Sequence, residues 1–196
     1  MKLLFIGDII GKPGRIMLTQ HLKSIIKEHH IDFVIANGEN SAHGFGLTSE
    51  TSKDLFKAGV KLITGGNHSF DKKEIIPLMQ TQPILRPLNF PPLTPGTGTY
   101  ITTIKEEKLA VINLMGFHQM GIVENPFNMI QSEIATLKEI GIKNIFIDFH
   151  AETTSEKNTL LAMLKSKVSF IAGTHTHIGT DDLHIVDGTG YVSDVG

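Results

Sequence analysis

Asp8, Glu39, Asn40, Asn67, His150, His175 and His177 each stand just after a short apolar run that reads as a β-strand. Carboxylate, carboxamide and imidazole groups are oxygen and nitrogen donors, and in an open α/β sheet the crevice beyond the strand C-termini is where ligands bind. Seven such groups converging there have the chemistry of a metal cluster. Each residue also has a plainer alternative. Asp8 could form a turn or cap a helix, Glu39 and Asn40 could belong to a turn, His150 could be a hydrogen-bonded core histidine, and GTHTH, residues 173–177, could be a polar loop. In that loop His175 and His177 are two apart, so an extended backbone would point both the same way, and a loop could aim both inward. The recurrence of donors at five strand ends favours a site. A Glu in a crevice also needs a compensating partner, which cations provide.

The composition narrows the chemistry further. The chain has no cysteine, which excludes disulfides, zinc knuckles, iron–sulfur clusters and thiolate nucleophiles. A metal held by imidazole, carboxylate and amide would be Mn, Fe, Zn or Mg rather than Cu(I). The net charge of -2 and pI near 6.5 give no basic field for long nucleic acid, although a small phosphorylated ligand fits. No membrane-length apolar run or secretory core is seen, and MKLLFIGD turns acidic at position 8, so a cytoplasmic protein is expected. The 196 residues, 40% apolar, are read as one domain over 1–196; a homo-oligomer is left open.

The positioning elements follow from pattern. Strands are expected at Leu3 to Ile6, Phe33 to Ala36 and Val60 to Thr64. A helix opened by Pro13, with Ile16, Leu22, Ile25 and Ile26 as its apolar stripe, lies between the first two; a second, capped by Thr48 or Ser49 and ended by Gly59, lies between the second and third. This β-α-β-α-β order is the signature of parallel strands with covering helices. From Pro77 to Gly98 the proline-rich chain is expected to cross the surface as an extended loop. Tyr100 to Ile104 and Leu109 to Leu114 read as a hairpin, followed by a helix from about Asn128 to Ile140 and strand Ile145 to Phe149. A helix started by the capping box Thr153 to Glu156, strand Val168 to Ala172 and a hairpin turning at Asp187 and Gly188 complete the chain.

Asp8, GEN at 38–40, GNH at 66–68, His150 and GTHTH resemble the ordered motifs of calcineurin-like metallophosphoesterases. FIGDIIGKPGR, IANGENSAHGFGLT, GGNHSFD, DFHAETTSEK and GTHTHIGTDD resemble the YmdB-like branch, whose members are described as phosphodiesterases acting on cyclic nucleotides. The resemblance runs from residue 1 to residue 196. It implies an α/β layered sandwich with helices covering mixed sheets. Relatives continue beyond a DVG segment like Asp194 to Gly196, so a chain ending there would lack the family's C-terminal strands. It also implies two divalent ions, Fe or Mn first, with Asp8, Glu39, Asn40 and His177 around one and Glu39, Asn67, His150 and His175 around the other. Where the superfamily has a histidine two residues after the first Asp, this chain has Ile10, and the resemblance to the YmdB-like branch implies that Asn40 would fill that place.

The implied reaction is attack of a metal-bridging hydroxide on the phosphorus of a cyclic nucleotide, 2′,3′-cyclic nucleotides first. His68 matches the family's catalytic histidine and would protonate the leaving oxygen. Asp71 would either orient His68 or cap the helix beginning DKKE. His43 and Phe45, in the glycine-rich turn SAHGFG, lie at the rim, where Phe45 could stack on a base. His21, His29, His30, His118 and His184 are expected to be ordinary surface or packing residues. Two rivals stand beside this reading: a phosphomonoesterase with the same centre, and a non-catalytic nucleotide-binding regulator.

Overall fold

In a computed structural model describing every residue from Met1 to Gly196, two β-sheets face each other and helices cover both outer faces. The first sheet is parallel, in the order β1 (Leu3–Ile6), β2 (Phe33–Asn37), β3 (Leu62–Thr64). Helices α1 (Gly11–His29) and α2 (Ser49–Ala58) make its crossovers. The second sheet runs β4 (Thr99–Ile104), β5 (Glu107–Met115), β6 (Asn144–His150), β7 (Phe170–Thr174), β9 (Thr189–Val192), β8 (His184–Val186), with α3 (Pro126–Glu139) and α4 (Thr154–Leu164) on its outer face. β5, β6, β7 and β9 are parallel, while β4 and β8 pair antiparallel at the two edges. The expected layered α/β sandwich with mixed pairing is what forms.

Alternation along the strands builds three apolar layers. Phe33, Ile35 and Leu62 meet Leu109, Val111, Phe146 and Ala172 between the sheets. Val34, Ala36 and Ile63 turn the other way, toward Leu18, Leu22 and Leu55 of α1 and α2. Ile112, Leu114, Ile147 and Phe149 pack on Ile130, Ile134, Leu160 and Leu164 of α3 and α4. Each buried aliphatic side chain of this kind contributes about 1.5–3 kcal/mol relative to exposure.

Local signals end the elements where expected. Thr48 caps α2 through a reciprocal box with Thr51, Gly59 closes it at φ 128°, and Thr153 accepts from Glu156 N–H at α4. Both hairpins turn on two residues of positive φ, Lys105 with Glu106 and Asp187 with Gly188, the backbone a tight antiparallel turn requires.

Two expectations are corrected. Helix α1 starts at Gly11 rather than Pro13 and buries Leu18 and Leu22, leaving Ile16 43% exposed. The proline-rich segment is not a surface strap. It contains a single turn of 3₁₀ helix, Leu78–Gln80, and buries Met79, Ile84, Leu85 and Asn89. Pro83 has no N–H, but its carbonyl accepts from Ile63 N–H at 3.0 Å, and Leu85 N–H returns a bond to Ile63 O at 2.8 Å, which continues the first sheet beyond β3. No helix is long and apolar enough to cross a membrane.

A buried ion pair fastens the tail of β9 to α4. Lys157 Nζ donates to Asp194 Oδ2 at 2.8 Å, and both side chains are at most 3% exposed. Burial pushes the Asp194 carboxyl up, but its bonds from Lys157 and Gly196 N–H outweigh burial and hold it below the usual carboxylate range. A depressed carboxyl stabilises the fold above its unfolded pKa, and that stability is lost as pH falls through the folded value. Lys157→Met is therefore expected to cost about 3–5 kcal/mol in denaturant unfolding at neutral pH. It should also flatten the acid limb of the stability curve. An unchanged midpoint and acid limb would show that the pair is dispensable.

Candidate metal centre

The C-terminal ends of β1, β2, β3, β6 and β7 open onto one crevice, and most of the donors expected from the sequence meet there. His150, the last residue of β6, is fully buried. Its Nε2 lies 2.8 Å from Glu39 Oε1, 3.0 Å from Asn67 Oδ1 and 3.1 Å from His175 Nδ1. One ring nitrogen carries at most one proton, so three acceptor-capable atoms cannot all be satisfied by it. Glu39, His150 and His175 each offer a ligand atom, all within 4.8 Å of one another.

Gly66 keeps this space open: a Cβ there would lie 2.4 Å from His150 Nε2 and 2.5 Å from Glu39 Oε2. Asp8 lies alongside, its Oδ2 accepting from His175 N–H at 2.9 Å and its Oδ1 3.8 Å from His150 Nδ1. Asn40 is 3% exposed and donates to Gly44 O at 2.9 Å.

The donor set fits a divalent cation. Asp8 Oδ1 and Asn40 Oδ1 are buried without a hydrogen-bond partner, which is costly unless something else satisfies them. The tight group comprises Glu39, Asn67, His150 and His175. The group expected around a second ion is looser: Asp8 and Asn40 flank the cluster, while His177 is exposed and near enough to Asp8 only to lower its carboxyl electrostatically. Both histidines of GTHTH sit on a left-handed backbone, φ 100° and 59°, so of the two arrangements open to them it is the loop, not the extended pair, that forms.

Several functional partners are less visible in the sequence. His150 Nδ1 is 2.9 Å from Thr174 Oγ1, which donates to Asp148 Oδ1 at 2.7 Å. Asp148 Oδ2 accepts from Asn37 Nδ2 at 3.1 Å and from Thr64 Oγ1. Glu152 Oε2 lies 3.0 Å from His175 Nε2. Metal-binding imidazoles commonly bond their second nitrogen in this way, which fixes tautomer and ring orientation. The only sequence signal for Asp148 was a lone acid inside the apolar run FIDFH.

Burial and mutual charge shift these groups strongly. Burial pushes Asp148 up to about 7 and raises Asp8. Burial pulls His150 down, but the adjacent Glu39 carboxylate outweighs it and lifts the imidazole to about 9. For Glu39, burial is outweighed by the charge and hydrogen bond of His150, and its carboxyl falls.

His68 stands at the rim. Its backbone N–H donates to Glu39 Oε2 at 3.0 Å, and its Nδ1 lies 2.8 Å from Asp71 Oδ2. Asp71 is therefore placed to orient His68 and caps no helix, since the 3₁₀ turn after it has no side-chain cap. His21, His29, His30, His118 and His184 are all exposed outside the cluster.

A family model described as YmdB-like protein matches residues 4–196. The chain belongs to the YmdB-like family. A relative from Bacillus subtilis (strain 168), named 2′,3′-cyclic-nucleotide 2′-phosphodiesterase, is 42% identical over 198 residues, covering 100% of this chain and 75% of that protein. Two crystal structures resemble the YmdB-like chain throughout. A hypothetical protein from Thermus thermophilus gives a TM-score of 0.94 at 39% identity, covering 100% of this chain and 76% of that one. A novel phosphatase from Mycoplasma pneumoniae gives 0.93 at 34%, covering 100% and 72%.

Adding Mn²⁺ to metal-free protein is expected to raise its melting temperature, with about 2.7 kcal/mol of stabilisation at a hundredfold excess over Kd. Glu39→Gln should lose most of that gain, because it removes the carboxylate facing His150. A wild-type melting temperature indifferent to Mn²⁺, Fe²⁺ and Zn²⁺ would remove the metal centre.

Proposed function

We propose that the chain is a dinuclear, divalent-metal phosphodiesterase that opens 2′,3′-cyclic nucleotides, with Fe or Mn as the native metal. The observation that carries this reading is the crowding of Glu39, Asn67 and His175 around His150 Nε2, beside orphaned Asp8 and Asn40 oxygens. Members of the family named as phosphodiesterase and phosphatase place the chain among phosphoric ester hydrolases. The cyclic-diester substrate is carried over from the Bacillus subtilis relative's name.

Asn67, His150 and His175 would hold one ion, Asp8, Asn40 and His177 the other, and Glu39 would serve both. When bound, the pair supplies neutralising charge for the phosphate and an acidified water. The remaining work falls to the chain. Asp71 holds His68 Nδ1, so the other ring nitrogen is free to face a leaving oxygen and give it a proton. The bond from His68 N–H to Glu39 ties this acid to the carboxylate at the centre. Thr174 and Glu152 fix the two imidazoles of the tight group, so neither ring need reorient when substrate arrives.

The description of the Mycoplasma pneumoniae structure as a phosphatase favours a phosphomonoesterase as second reading. Parallel turnover of 2′,3′-cyclic AMP and 3′-AMP separates them: the cyclic diester should be consumed and the monoester should accumulate. Release of inorganic phosphate from the monoester at a comparable rate would favour the second reading. His68→Ala is expected to lose about a hundredfold or more in kcat while binding the same amount of metal. Loss of metal in that variant would make His68 a ligand instead of an acid.

A further inference from the structure

Phe45 is a large aromatic side chain left 57% exposed beside the proposed acid. Its ring centroid is 5.0 Å from that of His68, with the planes 73° apart. The loop that carries it is fastened on both sides. Asn40 Nδ2 donates to Gly44 O at 2.9 Å, Gly44 N–H to Asn40 O at 3.1 Å and Ala42 N–H to Gly46 O at 3.0 Å. Arg15 donates to Ser41 O. Gly46, at φ 82°, packs so closely that a Cβ would lie 2.8 Å from Lys72 Cγ and 3.3 Å from Asp71 Cβ. The phenyl ring is thus held by a loop rooted at Asn40 and pressed against the residue that orients His68, and no neighbour covers its remaining surface. An apolar ring held open to solvent next to a catalytic imidazole is a stacking surface, and nucleobases of any sequence offer a π-face to one.

We propose that Phe45 is the nucleobase platform of this site and that it selects which phosphoester bond breaks. The inference rests on the cyclic-nucleotide reading above. In a 2′,3′-cyclic nucleotide the base is on C1′, next to the carbon bearing the 2′-oxygen, while the 3′-oxygen is one carbon further away. A base stacked on Phe45 brings the 2′-oxygen to His68. Water oxygen then bonds to phosphorus, the P–O2′ bond breaks, and the 2′-oxygen takes the imidazole proton. Water supplies the proton that restores His68, and the product is a nucleoside 3′-phosphate. Stacking binds the base side of the leaving group, so it should favour purines over pyrimidines and both over a cyclic phosphate without a base.

Two measurements test this on the metal-loaded enzyme. The first compares kcat/KM for 2′,3′-cyclic AMP with that for glycerol 1,2-cyclic phosphate, and records the ratio of 3′-AMP to 2′-AMP formed. Phe45→Ala should reduce the preference for the nucleotide by about tenfold or more and erode the 3′-AMP excess, whereas Phe45→Trp should retain both. The second is calorimetric binding of adenosine 3′-phosphate, which should weaken about tenfold in Phe45→Ala and recover in Phe45→Trp. Equal losses on both substrates would make Phe45 a packing support for His68 and overturn the platform. So would an unchanged preference and product ratio in Phe45→Ala when the wild type opens 2′,3′-cyclic AMP. A wild type that opens no cyclic nucleotide overturns the functional reading and the platform together.

Discussion

The buried Asp148 carboxylate joins the two sheets at the edge where the site is built. It sits on β6 and accepts from Asn37 on β2, Thr64 on β3 and Thr174 on β7. Asn113 on β5 adds a reciprocal pair with the Gly65 backbone, at 2.9 Å in both directions. An apolar interface such as that of Ile35, Val111 and Phe146 resists separation but resists sliding weakly, because its contacts are non-directional. A hydrogen-bonded carboxylate differs: displacing one partner leaves a buried polar group unsatisfied, at about 1–3 kcal/mol. The strand ends on opposite sheets are held in register by this seam. Glu39 and Asn67 can therefore meet His150 although they follow strands of the other sheet.

The same seam explains the electrostatics of the crevice. Removing Asp8, Glu39 and Asp148 from water is unfavourable for each carboxylate, and the molecule offsets it in two ways. Burial pushes the Asp148 carboxyl up to about 7 against the opposing pull of His150 and of its hydroxyl donors, whereas Glu39 draws charge onto His150. Neither arrangement reaches Asp8 Oδ1 or Asn40 Oδ1. Those atoms are what a cation would complete, and binding one would expel the proton that Glu39 holds on His150, since a ligating imidazole must be neutral. Thr174 and Glu152 meanwhile remain bonded to the outer nitrogens of His150 and His175. The rings are thus oriented before any ligand arrives.

What could be read from the sequence was set by apolar runs and punctuation. The short apolar runs of β2 and β6, the Thr48 and Thr153 caps, Gly59 and the two-residue turns each declare themselves within a few residues. The donor residues were legible because they stand beside strand ends. Asp148, Thr174 and Asn37 were not, since each is a polar residue within a strand, and such a residue reveals its partner only when the neighbouring strands and the opposing sheet are placed. The proline-rich segment misled for a related reason. Six prolines signalled a strap without donors, but a ladder also needs acceptors, and Pro83 O supplies one to Ile63. Of the stripe expected on α1, Leu22 is buried and Ile26 packs on the same core, while Ile16 is left exposed; the helix begins at Gly11, whose φ of 54° permits an entry that Pro13 did not announce.

The donors also divide between strand and loop, with different structural costs. His150 belongs to a ladder flanked by β5 and β7, so its backbone is fixed by regular hydrogen bonds. His175 and His177 follow β7 on left-handed backbones that disfavour side-chain-bearing residues by about 1–3 kcal/mol each. Such a conformation persists only where surrounding bonds over-determine it. Thr176, between the two, donates to Asp194 Oδ2 through its N–H at 3.2 Å and its hydroxyl at 2.8 Å, and Lys157 holds the same oxygen. Thr180 N–H bonds to Asp194 O at 2.9 Å and closes the loop against the tail of β9. The Lys157–Asp194 pair therefore lies outside the crevice yet governs it. A buried charge pair is a poor source of net stability, but it is directional, and here that direction is spent on holding two imidazoles in a backbone conformation the local sequence would not choose.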